Sequence, residues 1–442
     1  MEALKRALRA GRPVAVWHDP PQLRYLVEGP SGVAEHRIDT DGTFACLARE
    51  FPALEWFERE LAEGGSLTRV GCAAPKPLRD HAAPYPFATF DGLHEVPVGP
   101  VHAGVIEPGH FHFSVLGERI VNLEIRLGYQ HRGVSALFAG ASLERARLLS
   151  ERVGSEPVAH ALCYARAVEH IAGAEVPPHA KLLRPVLLEL ERIFQHLGHL
   201  AGLFADVGYG FAATQTGTVR ANVQGQIERL TGHRYARNAI LVGGVASRVE
   251  PDTALAARAA LAELASDTTR LIAPALRHPM VLDRLRYLGT VSEGQAHMLG
   301  LVGPTARASG IERDLRTHEA PYRPFTPVTR KGGDVLARAQ QYLREAQHSF
   351  GYLDRFLAEL PEGPPSIPTP VPDGEAWARV ESARGELFYW LRVEDDRVRN
   401  VRIVSPSFKN WRALEFAVRG AGLPDFPVCN KSFDLSYADA DL

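Results

Sequence analysis

The strongest constraint on the fold of this 442-residue chain is a set of long segments with helical apolar spacing, spread through its middle and C-terminal parts. After Pro177-Pro178, Leu183, Leu187, Leu190, Phe194 and Leu197 recur at intervals of four and three. That spacing lines one stripe of a helix, and the stripe must be buried against another element. Leu336, Ala339, Leu343, Ala346, Phe350, Leu353 and Leu357 repeat the pattern and predict a second long helix over 334–357. Further helices are expected at 142–152, 217–230 and 252–272. Ser155-Glu156-Pro157 supplies a cap and an early proline for another, which Gly173 stops. Pro185 falls in the first turns of its helix, where a missing N–H does least damage. Helices that each bury one stripe are expected to form a single central bundle.

Strand signals flank these helices. Phe111, Phe113 and Val115 alternate, Gly117-Glu118 turns the chain, and Val121, Leu123, Ile125 and Leu127 alternate again, which is a hairpin pattern. Leu387, Tyr389, Leu391 and Val393 lead to Asp395-Asp396 and a returning strand at 401–404, followed by a short helix over 410–419. Six prolines between Pro361 and Pro372 make a stiff link ahead of that hairpin. Strand-like runs at 13–17 and 23–27 and a helix over 51–61 form a small N-terminal α/β domain, residues 1–74. The proline- and glycine-rich stretch 75–108 reads as an extended connector to the main domain, 109–442. The expected class is α+β, a long-helix bundle flanked by β-hairpins.

Composition excludes some functions. The chain is 45% hydrophobic and 23% charged with a net charge of −2, which gives no electrostatic reason to bind nucleic acid or an acidic membrane surface. The start, Met1 to Arg6, is charged rather than apolar, so no signal peptide is expected. No run of about 18 apolar residues occurs, so direct membrane insertion is not expected and any membrane contact is assigned to partners. Cys46, Cys72, Cys163 and Cys429 are scattered, with no disulfide framework and no Cys-x-x-Cys, which suits a reducing cytoplasm. Cys163 falls on an apolar helix face and reads as core. His196 and His199, three apart, fit either a shared metal or a solvated or interface face, and no third ligand at usable spacing accompanies them. Glu189 and Arg192 read as an ordinary helix ion pair. Gly243-Gly244 lacks the strand-turn-helix setting of a nucleotide loop.

Eight collinear stretches carry a family resemblance. They run from Glu107-Pro108-Gly109-His110-Phe111 into Leu127-Gly128-Tyr129-Gln130-His131-Arg132-Gly133, then through Ala165 to Glu169, Leu188 to Ile193 and Thr231 to Tyr235. Arg307 to Gly310, Glu381 to Leu387 and Ser405 to Phe408 complete the series. Together they resemble the superfamily that joins the large subunits of energy-converting nickel-iron hydrogenases, of the hydrogenase-4 and formate hydrogenlyase types, to the D subunit of respiratory complex I. Residues 51–60 resemble the complex I C subunit, which hydrogenase-4 large subunits carry as a fused domain. The Asp-Met-Phe-Gly-like continuation is replaced here by Leu61-Ala62-Glu63-Gly64-Gly65, so that domain reads as shortened.

One segment departs from the hydrogenase pattern. Arg152 to His160 is similar to Arg-x-Cys-Gly-x-Cys-x-x-His, the N-terminal nickel-ligand motif, with Gly154 and Pro157 where the thiolates would stand. A nickel-iron centre of that family takes two more thiolates from a C-terminal Cys-x-x-Cys, and Cys429 is the one sulfur near that end. The resemblance therefore implies a subunit that binds no metal itself. It would pack on a small iron-sulfur subunit of the complex I B type, above antiporter-like membrane subunits, on the cytoplasmic face of the cell membrane. Its role would be to couple redox or conformational change to ion transport. Two alternatives stand beside this: the vacated cavity reduces a quinone or another small acceptor, or the chain is purely a scaffold.

The resemblance also nominates cavity or quinone-site residues. His110 matches a quinone-contacting histidine or is a packed or surface loop residue. His131 lines the cavity or turns the chain with Arg132-Gly133. Arg152 and His160 bracket the altered motif and are expected to pair with Glu156 or another buried carboxylate. Arg384 either faces the partner's cluster, biasing its potential, or pairs with Glu381 or Glu386. Cys429 is a remnant of the metal site or inert.

Overall fold

A computed structural model describes residues 1–72, 77–79, 91–102 and 106–442. Four helices form the bundle: Pro178–Asp206, Gly210–Thr231, Pro251–Asp267 and Val335–Ala358. The first of these is central, packing on both the second and the fourth. Leu183, Leu187, Leu190 and Leu197 are each at most 2% exposed, as their spacing requires. The Gly210–Thr231 helix starts well before the expected 217. The 252–272 segment is helical throughout but ends in a π-turn at Thr268–Ile272.

Among the described residues, three three-stranded antiparallel sheets accompany the bundle. At the N-terminus, Arg12–Asp19, Gln22–Gly29 and Gly32–Asp39 pair in sequence order. His110–Leu116 is the middle strand of the second sheet, paired with Arg119–Arg126 on one side and Leu93–Val98 on the other. That last strand lies inside the stretch expected to be an extended connector. Pro97 is tolerated there because an edge strand has N–H groups that need no ladder partner. Residues 75–76, 80–90 and 103–105 of the connector lie outside the described residues.

The third sheet has three strands, Gly374–Glu381, Glu386–Glu394 and Arg397–Val404, where a two-stranded hairpin was expected. The Pro157–Ala172 helix packs across its first two strands. The final helix of this region spans Pro406–Ala417, beginning earlier than 410 because the Ser405 hydroxyl caps it by accepting from Phe408 N.

The N-terminal segment shares a core with the rest of the chain. Trp17 sits 5.4 Å from Trp390 and 6.0 Å from Phe388, ring centre to ring centre. Around these rings Arg12 pairs with Glu386, Arg24 with Glu375, Arg379 with Glu28 and Arg392 with Asp19. Of these, the Arg12–Glu386 pair lies at the Glu381–Glu386 turn, while Glu375 and Arg392 are at the other end of the strands.

Candidate functional site

Four stretches that lie far apart in sequence converge on the C-terminal segment 434–442. From the first, the Glu107 carboxylate accepts from Tyr437 N and Ala438 N and so caps the short Tyr437–Asp441 helix. Gly109 lies so close to Tyr437 that a Cβ there would fall 2.2 Å from the ring. The second stretch holds the tail: His131 Nδ1 donates to the Asp441 carbonyl at 2.8 Å, and Arg132 N donates to the Leu442 carbonyl at 2.8 Å. The third is the 154–160 turn and helix start, and the fourth is Arg384.

The altered motif stands at a helix N-terminus. Its free N–H groups at Val158 and Ala159 are satisfied by the Glu191 carboxylate of the central bundle helix, at 2.8 and 2.9 Å. Glu156, at the cap position itself, faces the other way. It accepts from Ser382 Oγ and Arg384 N, each at 3.2 Å, and pairs with the Arg384 guanidinium at 3.3 Å.

Arg384 is the hub. Besides Glu156 it contacts Ser155 Oγ at 2.7 Å, the Asp434 carbonyl at 2.6 Å and the Asp434 carboxylate at 3.1 Å. It does not pair with Glu381 or Glu386, which is one of the two readings its sequence allows. Glu381 pairs with Arg307 at 2.7 Å, and Glu386 with Arg12, Arg379 and Lys409. The reason is the turn itself: Gly385, at φ +130°, and Gly303, at φ +66°, meet backbone to backbone, which swings Arg384 toward the 155–156 turn.

His160 is fully buried and makes two contacts. Its Nε2 faces the Asp439 carboxylate at 3.4 Å and its Nδ1 the Tyr389 hydroxyl at 2.7 Å. With the N–H on Nε2 toward the carboxylate, the hydroxyl donates to Nδ1. Asp439 lies directly on Gly154: a Cβ built on that glycine would fall 1.3 Å from Oδ1. So the C-terminal side chain that meets the first altered motif position is a carboxylate. Ser436, three residues before Asp439, caps the same short helix by accepting from Asp439 N.

Cys429 is elsewhere. It is buried against Gly289 and Arg338, and burial raises its thiol to about 11. Cys163 is core, as expected. Arg152 is exposed and donates to the Leu148 carbonyl at 2.7 Å, so the expected pairing with Glu156 is not formed. His110 opens its strand opposite Arg126, half-buried, with its ring 6.1 Å from that of His112.

The carboxyl groups divide electrostatically. Burial, helped by the negative charge of Glu156, pushes Glu191 up to about 8. Burial also raises Glu156, against the pull of Arg384 and His160. Burial acts in the same sense on Asp434, yet Arg384 and His199 outweigh it and bring that group down to about 2. Asp439 is likewise lowered against its burial, by His160 and Arg384. The site therefore holds two carboxyl groups held below their ordinary range beside two pushed above it.

A second buried network adjoins it through the 381–382 backbone. Arg192 donates to the Ser382 and Glu381 carbonyls at 2.8 and 2.7 Å while pairing with Glu189. Glu189 also pairs with Arg316, so this ordinary-looking helix pair is part of a larger assembly that includes Asp314, Arg307 and Glu345. His196 and His199 are buried in it rather than solvated, facing Glu345 at 3.4 Å and Asp434 at 3.3 Å and packed on Tyr342. Among the described residues, no group of three or more His, Cys, Asp and Glu side chains is arranged to hold a metal ion. Nor is any described helix long and apolar enough to cross a membrane.

Residues 206–370 and 366–442 match the family of the respiratory-chain NADH dehydrogenase 49 kDa subunit. The chain belongs to that family. The relation extends to hydrogenases. The carbon monoxide-induced hydrogenase of Rhodospirillum rubrum is 33% identical over 350 residues, covering 77% of this chain and 96% of its own. Formate hydrogenlyase subunit 5 of Escherichia coli is 28% identical over 447 residues, covering 92% of this chain and 78% of its own. A chain of the membrane-bound sulfane sulfur reductase, an archaeal respiratory membrane complex, superposes with a TM-score of 0.73 at 26% identity, over 80% of this chain and 100% of the other. The superfamily read from the eight collinear stretches is thus the one these relatives define.

Of the residues nominated from sequence, His131, His160 and Arg384 come together around segment 434–442. Asp434, Asp439 and Glu191 were not nominated. Glu191 stood in a quoted family stretch, but as the next-door neighbour of an apolar stripe it carried no sign of its partner.

Proposed function

We propose that this chain is a subunit of a membrane-associated, complex I-like redox assembly and performs no dihydrogen chemistry of its own. It packs on a small iron-sulfur subunit, on the cytoplasmic face of the membrane, and couples redox or conformational change to ion movement by antiporter-like subunits. Family membership supports the setting, and the solved relative is part of a respiratory membrane complex.

The observation that carries the reading is the contact between Asp439 and Gly154. A nickel-iron centre needs soft thiolate donors. Gly154 and Pro157 have no donor atom, Ser436 caps its own helix, and Asp439 fills the space over Gly154 with a hard oxygen pair held by His160. The donor set does not fit such a centre.

What remains is an arrangement of fixed charge and exchangeable protons. Arg384, locked by Glu156, Asp434 and Ser155, presents a guanidinium that cannot lose its proton. Glu156 and Glu191 sit in the same buried region with raised proton affinity. A change in charge on a neighbouring subunit acts on this set first, and the 381–382 backbone joins it to the bundle network.

Affinity purification of the tagged chain from solubilised membranes of its host tests the setting. Recovery with an iron-sulfur subunit and polytopic membrane subunits is expected. A free chain recovered from the soluble fraction alone would contradict it.

A further inference from the structure

We propose that Cys46 and Cys72 form a dithiol site that a low-molecular-weight disulfide oxidises to an intramolecular disulfide. The two residues look unrelated in sequence. The parallel pairing of Thr43–Ala45 with Thr68–Val70 brings them side by side, with Cys46 N donating to the Val70 carbonyl at 2.8 Å. The two thiols interact by a side-chain hydrogen bond, which puts the sulfurs near one another, the first requirement for joining them.

The frame around Cys46 is rigid. The buried Glu58 carboxylate accepts from Leu47 N and Ala48 N at 2.7 and 3.0 Å. Arg69 pairs with Glu55 and Glu58 and donates to Cys46 Sγ at 3.2 Å. Both cysteines are half-buried and reachable, whereas Cys163 and Cys429 are fully buried.

The roles of the two sulfurs differ. Cys46 carries the guanidinium contact, with Arg69 Nη2 3.2 Å from its sulfur. Burial and the neighbouring thiol push Cys72 up to about 11, which makes it the poorer first nucleophile. In the first step the Cys46 thiolate attacks one sulfur of glutathione disulfide, forming a mixed disulfide and releasing one glutathione thiolate. Cys72 then loses its proton to solvent and attacks Cys46 Sγ, forming the internal S–S bond and releasing the second glutathione thiolate. Two protein thiols are oxidised and one glutathione disulfide is reduced to two thiols, so the exchange balances.

The full-length chain, exposed to glutathione disulfide and then alkylated and digested, tests this by mass spectrometry. A peptide linking Cys46 to Cys72 is expected, with Cys163 and Cys429 unmodified. In Cys72→Ser, a glutathionyl group accumulates on Cys46. In Cys46→Ser, modification of Cys72 is slower than that of Cys46 in Cys72→Ser, because burial still holds the Cys72 thiol up. A stable glutathionyl group on Cys46 without the link in the unaltered chain, undiminished reaction of Cys72 in Cys46→Ser, or no reaction at either residue would each overturn the proposal.

Discussion

Replacing Gly154 by alanine places a methyl group into the Asp439 carboxylate. The built Cβ lies 1.3 Å from Oδ1 and 2.3 Å from Cγ. Restoring ordinary contact requires a separation of about 2 Å, and the side chain is fully buried and tied to His160, so it has no route to solvent. Gly154 is not at positive φ, so alanine adds no backbone strain and the contact alone sets the cost. Overpacking of this kind costs about 1–3 kcal/mol. At about 2.1 cal/mol/K per residue, unfolding 442 residues carries about 0.9 kcal/mol/K, so the midpoint should fall by about 1–3 °C. Asp439→Ala alone is also destabilising, because His160 loses a buried partner, by about 1–3 kcal/mol. In the double variant the new methyl enters the space the carboxylate leaves. The combined loss, followed by circular dichroism melts, should therefore be smaller than the sum by about 1–3 kcal/mol. Losses that add within about 0.5 kcal/mol would refute the contact on which the site is built.

Other perturbations probe the surroundings. Glu191, raised from 4.5 to about 8 in the folded chain, binds its proton more tightly there than when unfolded. Its contribution is complete below about pH 4.5 and is lost as pH rises to about 8, so Glu191→Gln should flatten the decline of stability across that window. An unchanged pH profile would count against a buried, proton-holding carboxyl. Arg384→Ala leaves Glu156 and Asp434 buried without their cation and should cost about 3–5 kcal/mol in thermal unfolding. Trp17→Ala should cost about 3–5 kcal/mol and speed hydrogen exchange in Glu386–Glu394, because Trp17 packs on Trp390 and Phe388. Exchange accelerated only within the first seventy or so residues would argue that the N-terminal segment has a core of its own.

Local patterns in the chain carried the elements that bury a single clear stripe. The Pro178–Asp206 and Val335–Ala358 helices and the His110–Arg126 hairpin could be read from spacing because large apolar residues mark one face. The Gly374–Glu381 strand was missed because two alanines, Ala376 and Ala378, stand on the face where larger residues would mark a strand, with Val380 the one branched residue beside them. His196 and His199 looked solvated because the partners that bury them, Glu345 and Asp434, come from the far end of the chain. The site posed the same problem throughout. Gly154 had a visible lack of donor atoms, but its neighbour Asp439 is set by how the C-terminal segment docks. Arg384 reads from sequence either as a cavity charge or as a partner of Glu381 or Glu386, and its actual partners Glu156 and Asp434 stay hidden because the Gly303–Gly385 approach that turns it joins two distant loops. Cys46 and Cys72 were scattered in sequence and adjacent in space for a similar reason.

The central claim is that the pocket beside Gly154 lacks the donors for a nickel-iron centre and is closed by Asp439. The most direct test is elemental analysis for nickel, per chain, of the intact complex purified from its host's membranes without chelators. The account predicts nickel far below one per chain, with the iron present accounted for by partner subunits. One nickel per chain, lost on Asp439→Ala, would contradict it.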